Sequence, residues 1–213
     1  HYIHIQGLEG QKMGCGIFGA INYDNQHVFP YIYWGLRAQN HRGHQSHGFL
    51  TFNENQFYVY RHLDLVPRVK TKALNEWFGR LPGSVGIGNV RYTTSGKVDD
   101  ASIVEGTQPV VAESEGVKLA LSFNGNIVNT SALKKEIENC FSGFVYHCDS
   151  DIVCYKMLSA LKDNKDLVGA ARVVMESLDG AFSVTGITGE GDFFAFKDSH
   201  GIKPLCAGHD LSL

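Results

Sequence analysis

Paired cysteines, an excess of positive charge and long apolar runs are all missing from this chain. Its five cysteines, at 15, 140, 148, 154 and 206, form an odd set with no CxxC pair. That argues against a disulfide framework and against a zinc site of the usual ligand spacing, and it fits a reducing cytoplasm. Nineteen Lys and Arg against 22 Asp and Glu leave a formal net charge of -3, so there is no basic stripe for a phosphate backbone. No uninterrupted apolar stretch approaches the ~20 residues of a bilayer-spanning helix. Nucleic acid and membrane are therefore poor partners. What remains, 213 residues with 43% hydrophobic and 19% charged side chains, is enough for one good core.

The start carries no secretory signal: His1-Tyr2-Ile3-His4-Ile5 alternates like a short strand, without a charged beginning, an apolar centre or a small-residue cleavage site. Residues 1–14 are read as an extension, either a pro-segment or an engineered remnant, ahead of a single domain over 15–213.

Periodicity orders the rest. Helical spacing is expected over Val28–Gln39, Ser131–Cys140 with Ser131 as a cap candidate, Ser150–Leu161 and Asp166–Leu178. Strands are expected at the Cys15 segment, in a hairpin (48–52 and 56–60) turning through Asn53-Glu54-Asn55, at 84–92, at 116–123 and in a pair over 181–187 and 192–196. Strands gathered toward the ends with helices between them point to α+β layers, not a regular parallel βαβ sheet.

Met13-Gly14-Cys15-Gly16-Ile17-Phe18-Gly19 places a thiol between two glycines at the mouth of an apolar strand, with little bulk around the sulfur. Taken alone, such a cysteine is more simply a buried core residue. Asn124-Gly125 alone reads as a turn, Arg91 as a surface ion pair, and Asp149 as a helix cap. His41, His44 and His47 share a three-residue spacing, but the glycines at 43 and 48 argue against the helix that would align them on a metal. Gly83-Ser-Val-Gly-Ile-Gly88 lacks the lysine and the spacing of a phosphate loop. Cys140, Cys148, Cys154 and Cys206 have no base paired with them in sequence and are read as buried or incidental thiols.

Five segments in order change these odds: Cys15-Gly-Ile-Phe-Gly19, the stretch from Leu36 through His41-Arg42-Gly43 to Gly48, Gly88-Asn-Val-Arg-Tyr-Thr-Thr-Ser-Gly96, Ser122-Phe-Asn-Gly-Asn-Ile-Val-Asn129 and Lys197-Asp-Ser-His-Gly-Ile-Lys-Pro-Leu205. Together they resemble the class II glutamine amidotransferases, the glutaminases with an N-terminal nucleophile (Ntn), and most closely the branch found in amidophosphoribosyltransferase. The resemblance implies an α+β fold, the four-layer αββα Ntn-hydrolase sandwich, and hydrolysis of the side-chain amide of L-glutamine to glutamate and ammonia. It implies Cys15 as nucleophile, with its own α-amino group as the base. Asn124 and Gly125 would form the oxyanion hole, Arg91 would hold the substrate α-carboxylate and Asp149 its α-ammonium. Thr94 and Ser95 would lie around the glutamine backbone, and Arg42 and Gly43 would brace the wall. No metal or other cofactor is implied.

The sequence departs from that pattern in two ways. With Gly14 attached, the Cys15 nitrogen is an amide and no base, so activity is expected to need cleavage of the Gly14–Cys15 bond. No phosphoribosyltransferase half is read in these residues, and the closing strand is expected to be missing. The chain is expected to serve a separate synthase or transferase subunit as ammonia acceptor, a glutamate-synthase-type complex among the candidates, or to be a fragment, or only to hydrolyse glutamine. A non-catalytic binding or regulatory module, with Cys15 permanently blocked, is the alternative.

Overall fold

The structure is a computed structural model and describes residues 2–6, 14–92, 105–163 and 166–210. Thr94, Ser95 and residues 7–13 of the extension lie outside the described residues. In chain order the strands are β1 (Tyr2–Gln6), β2 (Gly16–Asn22), β3 (Ser46–Asn53), β4 (Gln56–Leu63), β5 (Val85–Arg91), β6 (Val110–Ser114), β7 (Val117–Ile127), β8 (Gly180–Thr188), β9 (Phe193–Lys197) and β10 (Cys206–Asp210). The helices are α1 (Phe29–Ala38), α2 (Thr71–Arg80), α3 (Thr130–Cys140), α4 (Asp149–Lys162) and α5 (Leu167–Ser177).

The strands form a six-stranded sheet, β10-β1-β2-β5-β3-β4, and a four-stranded sheet, β6-β7-β8-β9. All the pairings in them are antiparallel. Three apolar clusters account for the layering. Phe18, Phe49 and Val90 pack under Phe29, Ile32, Tyr33 and Leu36 of α1 and Leu74 of α2. Leu50, Val85 and Ile87 meet Ala120 and Ile187 between the two sheets. Leu119, Leu121, Val184 and Phe196 pack under Leu133, Ile152, Val153, Met157 and Val174 of α3, α4 and α5. The order is helix, sheet, sheet, helix, the expected α+β sandwich. Because β5 is covered on both faces, all seven of its residues are buried, the polar Asn89 and Arg91 at its site end among them.

The turns follow the residues that form them. Asn53 pairs with Gln56, so Glu54 and Asn55 make a two-residue loop, both at positive φ (48° and 59°), as a hairpin of this length requires. Asp166 caps α5 by accepting the Gly169 N–H.

Four expectations need correction. Ser131 does not cap α3: the N-cap is Asn129, whose side chain instead donates to the Ser177 carbonyl and accepts from the Asp179 N–H. Strand β6 was not expected; its signal is Val110-Val111-Ala112 before a Glu115-Gly116 turn with both residues at positive φ. The strand expected over 116–123 continues to Ile127, so Asn124-Gly125 lies within β7 and not in a turn. A strand does close the large sheet: β10 pairs with β1, and β1 pairs with β2.

Phe29 is fully buried, with its ring against those of Tyr33, Phe49, Trp77 and Phe78. Phe29→Ala is expected to lower the free energy of unfolding by about 3–5 kcal/mol, measured by urea titration. A loss under about 1 kcal/mol would show that α1 does not anchor this layer.

Candidate active site

Strand register places the thiol. Gly16 pairs with Val90, which brings Cys15 beside Arg91 and Tyr92 at the end of the β2–β5 ladder. The Cys15 Sγ lies 3.8 Å from the Tyr92 carbonyl oxygen, and Arg42 Nη2 donates to the Cys15 carbonyl at 3.2 Å. Cys15 is half-buried. Burial pushes its thiol pKa up, against the opposing positive fields of Arg91, Lys203 and Arg42. The sulfur is therefore a protonated thiol at neutral pH and needs a base before it can attack.

The second sheet meets the first at the same end. Asn89, opposite Ile17 in the ladder, reaches across with its Nδ2 3.4 Å from the Phe123 carbonyl. Asn124 is the next residue on β7 and pairs with Ser183 of β8. The Ser183 hydroxyl donates to the Lys203 carbonyl at 3.0 Å, and it is the Lys203 charge that acts on the Cys15 sulfur. Asn124 is 2% exposed, and its Nδ2 has no hydrogen-bond partner among the described residues. Asn22 Nδ2 is likewise buried without a partner among the described residues, so what sets Asn124 apart is its place, next to Phe123, whose carbonyl the Asn89 amide of the Cys15 ladder approaches.

A second run of contacts joins Arg91 to Asp149. Arg91 ends β5 and is largely buried. A Cβ on Gly43 would stand 2.6 Å from the Arg91 backbone nitrogen, so that position requires glycine for close approach, and a Cβ on Gly106 would displace the Arg91 guanidinium. The Gly106 carbonyl is 3.8 Å from the Cys148 Sγ, which also lies 2.9 Å from the Ser150 hydroxyl; burial pushes the Cys148 pKa up to about 11. Asp149 follows as the first residue of α4. It is not the cap, a place taken by Cys148. Its Oδ2 accepts the Ile127 N–H at 2.9 Å and its Oδ1 accepts the Tyr146 hydroxyl at 3.1 Å, which moors the carboxylate two residues beyond Gly125 on β7.

The structure thus gathers Cys15, Arg42, Gly43, Arg91, Asn124, Gly125 and Asp149 around one end of the sandwich, while Thr94 and Ser95 lie outside the described residues. The histidines go elsewhere: His47 is buried on β3 with Nδ1 2.8 Å from the Asp64 carbonyl, and the His44 ring sits 5.1 Å from that of Tyr92. No group of three or more His, Cys, Asp or Glu among the described residues could hold a metal. Of the other thiols, Cys154 is buried and Cys140 and Cys206 are exposed.

Sequence reasoning missed Gly106, which belongs to no motif and matters only through its contact with Arg91. It quoted the segment containing Lys203 without giving that residue a role. The loop carrying Lys203 is shaped by Asp198, whose Oδ1 accepts from the N–H groups of His200 and Ile202 and whose Oδ2 accepts from those of Phe182 and Lys203. Burial works against the charge on Asp198, but the hydrogen bonds prevail and its pKa is lowered.

Comparison with known proteins gives a consistent set. Residues 97–212 match the family model described as "Glutamine amidotransferase domain". The amidophosphoribosyltransferase of Methanocaldococcus jannaschii is 34% identical over 198 residues, covering 93% of this chain and 40% of that protein. That of Methanothermobacter thermautotrophicus is 35% identical, covering 90% of this chain and 39% of the relative. Thus the chain spans about 40% of the length of the curated relatives it matches. Among solved structures, the allosteric regulatory enzyme of purine biosynthesis aligns with a TM-score of 0.62 at 25% identity, covering 88% of this chain and 35% of that one. The glutamine phosphoribosylpyrophosphate amidotransferase of B. subtilis, complexed with ADP and GMP, aligns at 0.60 with 24% identity and the same coverage, a likeness of fold.

Two measurements follow from the electrostatics. In the uncleaved chain, alkylation of Cys15 followed by peptide mapping is expected to titrate above the ~8.5 of a free cysteine, and Lys203→Met should move its midpoint further up. An unmoved midpoint would remove Lys203 from the site. The lowered pKa of Asp198 stabilises the fold above the unfolded value of about 3.9, and this contribution is lost as pH falls through the lower folded value. Asp198→Asn is therefore expected to flatten the acid limb of a stability-against-pH curve, and an unaltered limb would count against the loop account.

Proposed function

Because this chain belongs to the class II, N-terminal-nucleophile family of glutamine amidotransferases, we propose that it hydrolyses the side-chain amide of L-glutamine through Cys15 and hands the ammonia to an acceptor enzyme. The observation that carries this reading is the place of the buried Asn124 amide, one residue from Phe123, whose carbonyl Asn89 approaches from the same β2–β5 ladder that positions Cys15.

In the proposed reaction the Cys15 Sγ attacks the amide carbon while its proton passes to the α-amino group of the same residue. The oxyanion takes hydrogen bonds from Asn124 Nδ2 and the Gly125 N–H, donors commonly worth about 3 kcal/mol each in the transition state. The ammonium then returns the proton to the leaving nitrogen, and ammonia departs. Water, deprotonated by the same amine, cleaves the glutamyl thioester, releasing glutamate and restoring the thiol. Arg91 grips the α-carboxylate with its guanidinium fork, Asp149 takes the α-ammonium, and Arg42 and Gly43 support the wall behind Cys15 and Arg91. Thr94 and Ser95 are assigned to the glutamine backbone on the resemblance alone.

The base has to be made. A raised thiol pKa with no free amine leaves the sulfur protonated, so the Gly14–Cys15 bond must break first. The sulfur itself can do this by attacking the Gly14 carbonyl carbon as its proton passes to the departing Cys15 nitrogen, a slow single event that needs no separate base. The C–N bond breaks, the nitrogen takes a proton to become the α-amine, and water hydrolyses the resulting thioester. For the acceptor we propose a synthase or transferase, present as a separate subunit or as the remainder of a longer chain like the relatives. The names of those relatives favour a phosphoribosyl acceptor over a glutamate-synthase-type complex.

Intact-mass analysis with a glutaminase assay tests this directly. Active protein is expected to begin at Cys15 and to be labelled there by a diazoketone analogue of glutamine. Asn124→Ala is expected to lower kcat by roughly 100- to 1,000-fold while leaving KM within a few-fold. Full turnover by a chain that still carries Gly14 would overturn the mechanism, and cleaved protein that neither turns over glutamine nor takes the label would favour the non-catalytic reading.

A further inference from the structure

Asp151 is charged, buried and unused by the mechanism above. It is the third residue of α4 and only 6% exposed. Its Oδ2 accepts two backbone N–H groups, from His147 at 2.7 Å and from Cys148 at 2.8 Å. Those are the residues that lead into Asp149, so the carboxylate holds the strap from which the substrate-facing acid projects. A carboxylate returning from the third helical position to the cap N–H is half of a capping box. Here it takes a second N–H as well, and both bonds are charge-assisted.

The charges around Asp151 have a definite arrangement. On its own helix and strap stand Cys148, Asp149, Cys154, Tyr155, Tyr146 and His147. Opposite them are Arg61 from β4 and Arg91 from β5; burial raises the Asp151 pKa, and the two backbone N–H bonds and the fields of His147 and Arg91 only partly offset it. Arg61 is itself fixed, donating through Nε to the Pro109 carbonyl at 3.0 Å. His147 Nδ1 lies 3.3 Å from Glu105 Oε2. A cavity of about 210 Å³, walled by Arg61, Glu105, Thr107, His147, Asp151 and Tyr155, lies on this side of the strap.

We infer that Asp151 is a positioning residue for substrate recognition: by clasping the backbone of His147 and Cys148 it sets where the Asp149 carboxylate stands relative to Arg91. The two groups assigned to the α-ammonium and the α-carboxylate come from different elements, α4 and β5. Asp151 is bonded into the strap of the first and stands within the field of the second. A free amino acid is read by the separation of its two charges, so an error in that separation weakens binding of substrate and transition state alike. It should raise KM much more than it lowers kcat.

This inference rests on the glutaminase reading, and the experiment separates the two. Cleaved wild type, Asp151→Ala, Asp151→Asn and Asp151→Glu are compared in glutaminase kinetics, in calorimetric binding of L-glutamate, and in amide exchange at His147 and Cys148. Asp151→Ala is expected to raise KM roughly 10-fold or more with kcat within about 3-fold, and to lose protection at both amides. Asp151→Asn keeps an acceptor without the charge and should fall between. Asp151→Glu, the usual residue at this place in a capping box, should restore KM and protection together. If Asp151→Ala also lowers overall stability, the Glu variant keeps the test decisive, since a bulk folding defect would not be reversed in KM and in those two amides alone. Unchanged KM and protection in Asp151→Ala would overturn the clasp while leaving the glutaminase reading intact. Wild type that neither binds L-glutamate nor hydrolyses glutamine would overturn both.

Discussion

Two antiparallel sheets pressed face to face bring a sulfur from one and an amide from the other to a common end. Antiparallel register is unforgiving: a slip of one residue turns every side chain to the opposite face. The Gly16–Val90 pair sets where Cys15 emerges, and the Asn124–Ser183 pair sets where the amide emerges. Leu50, Val85 and Ile87 against Ala120 and Ile187 hold the sheets at a fixed distance. The Asn89 amide, reaching the Phe123 carbonyl, fixes their slide next to both residues. The outer helices matter to the site chiefly because they bury the far face of each sheet, which makes that register costly to lose.

Burial at this seam has an electrostatic consequence that runs through the whole site. It drives the Cys15 thiol toward its neutral form, and three cations set around it only partly reverse that. A histidine base could have solved the problem, but the buried histidine nearest in sequence to Arg42, His47, is turned to the Asp64 carbonyl and is held neutral by burial. The chemistry proposed above uses the residue's own nitrogen instead. The same low-dielectric seam strengthens any hydrogen bond that Asn124 makes to a developing negative charge. Desolvation thus hinders the attacking group and favours the state it leads to.

Much of this was legible in the chain. The 3.6-residue pattern from Val28 to Gln39 marked α1, and the polar Asn53-Glu54-Asn55 run marked the β3–β4 hairpin, because helix periodicity and turn chemistry are local. The segments around Cys15, Arg91, Asn124 and Asp149 were legible by resemblance, and the fold brings them to one place. What stayed hidden depends on tertiary proximity. Gly106 looks like any loop glycine until the Arg91 guanidinium is seen against it. Ser131 looks like a cap by residue type, but Asn129 holds that position while its side chain bonds to Ser177 and Asp179, which no local rule reveals. Asn124-Gly125 reads as a turn by its two residues alone, and only the eleven-residue length of β7 overrules that.

The extension raises a distinct point about order of events. β1 pairs on one side with β2, the strand that follows Cys15, and on the other with β10, so it is an interior strand of the six-stranded sheet. Cutting one covalent bond before Cys15 does not by itself break those two ladders. Their backbone hydrogen bonds are the same whether or not the chain is continuous at Gly14, and cleavage removes only the tether that raised the effective concentration of the strand. Creating the α-amine and discarding the segment are therefore separate steps, each with its own energetics. The first is a covalent change at the site. The second would leave β2 as an edge, with its N–H and C=O groups open to β10 or to another strand. The amine that the proposed chemistry requires would come from the first step alone, and the sheet has a structural reason to resist the second.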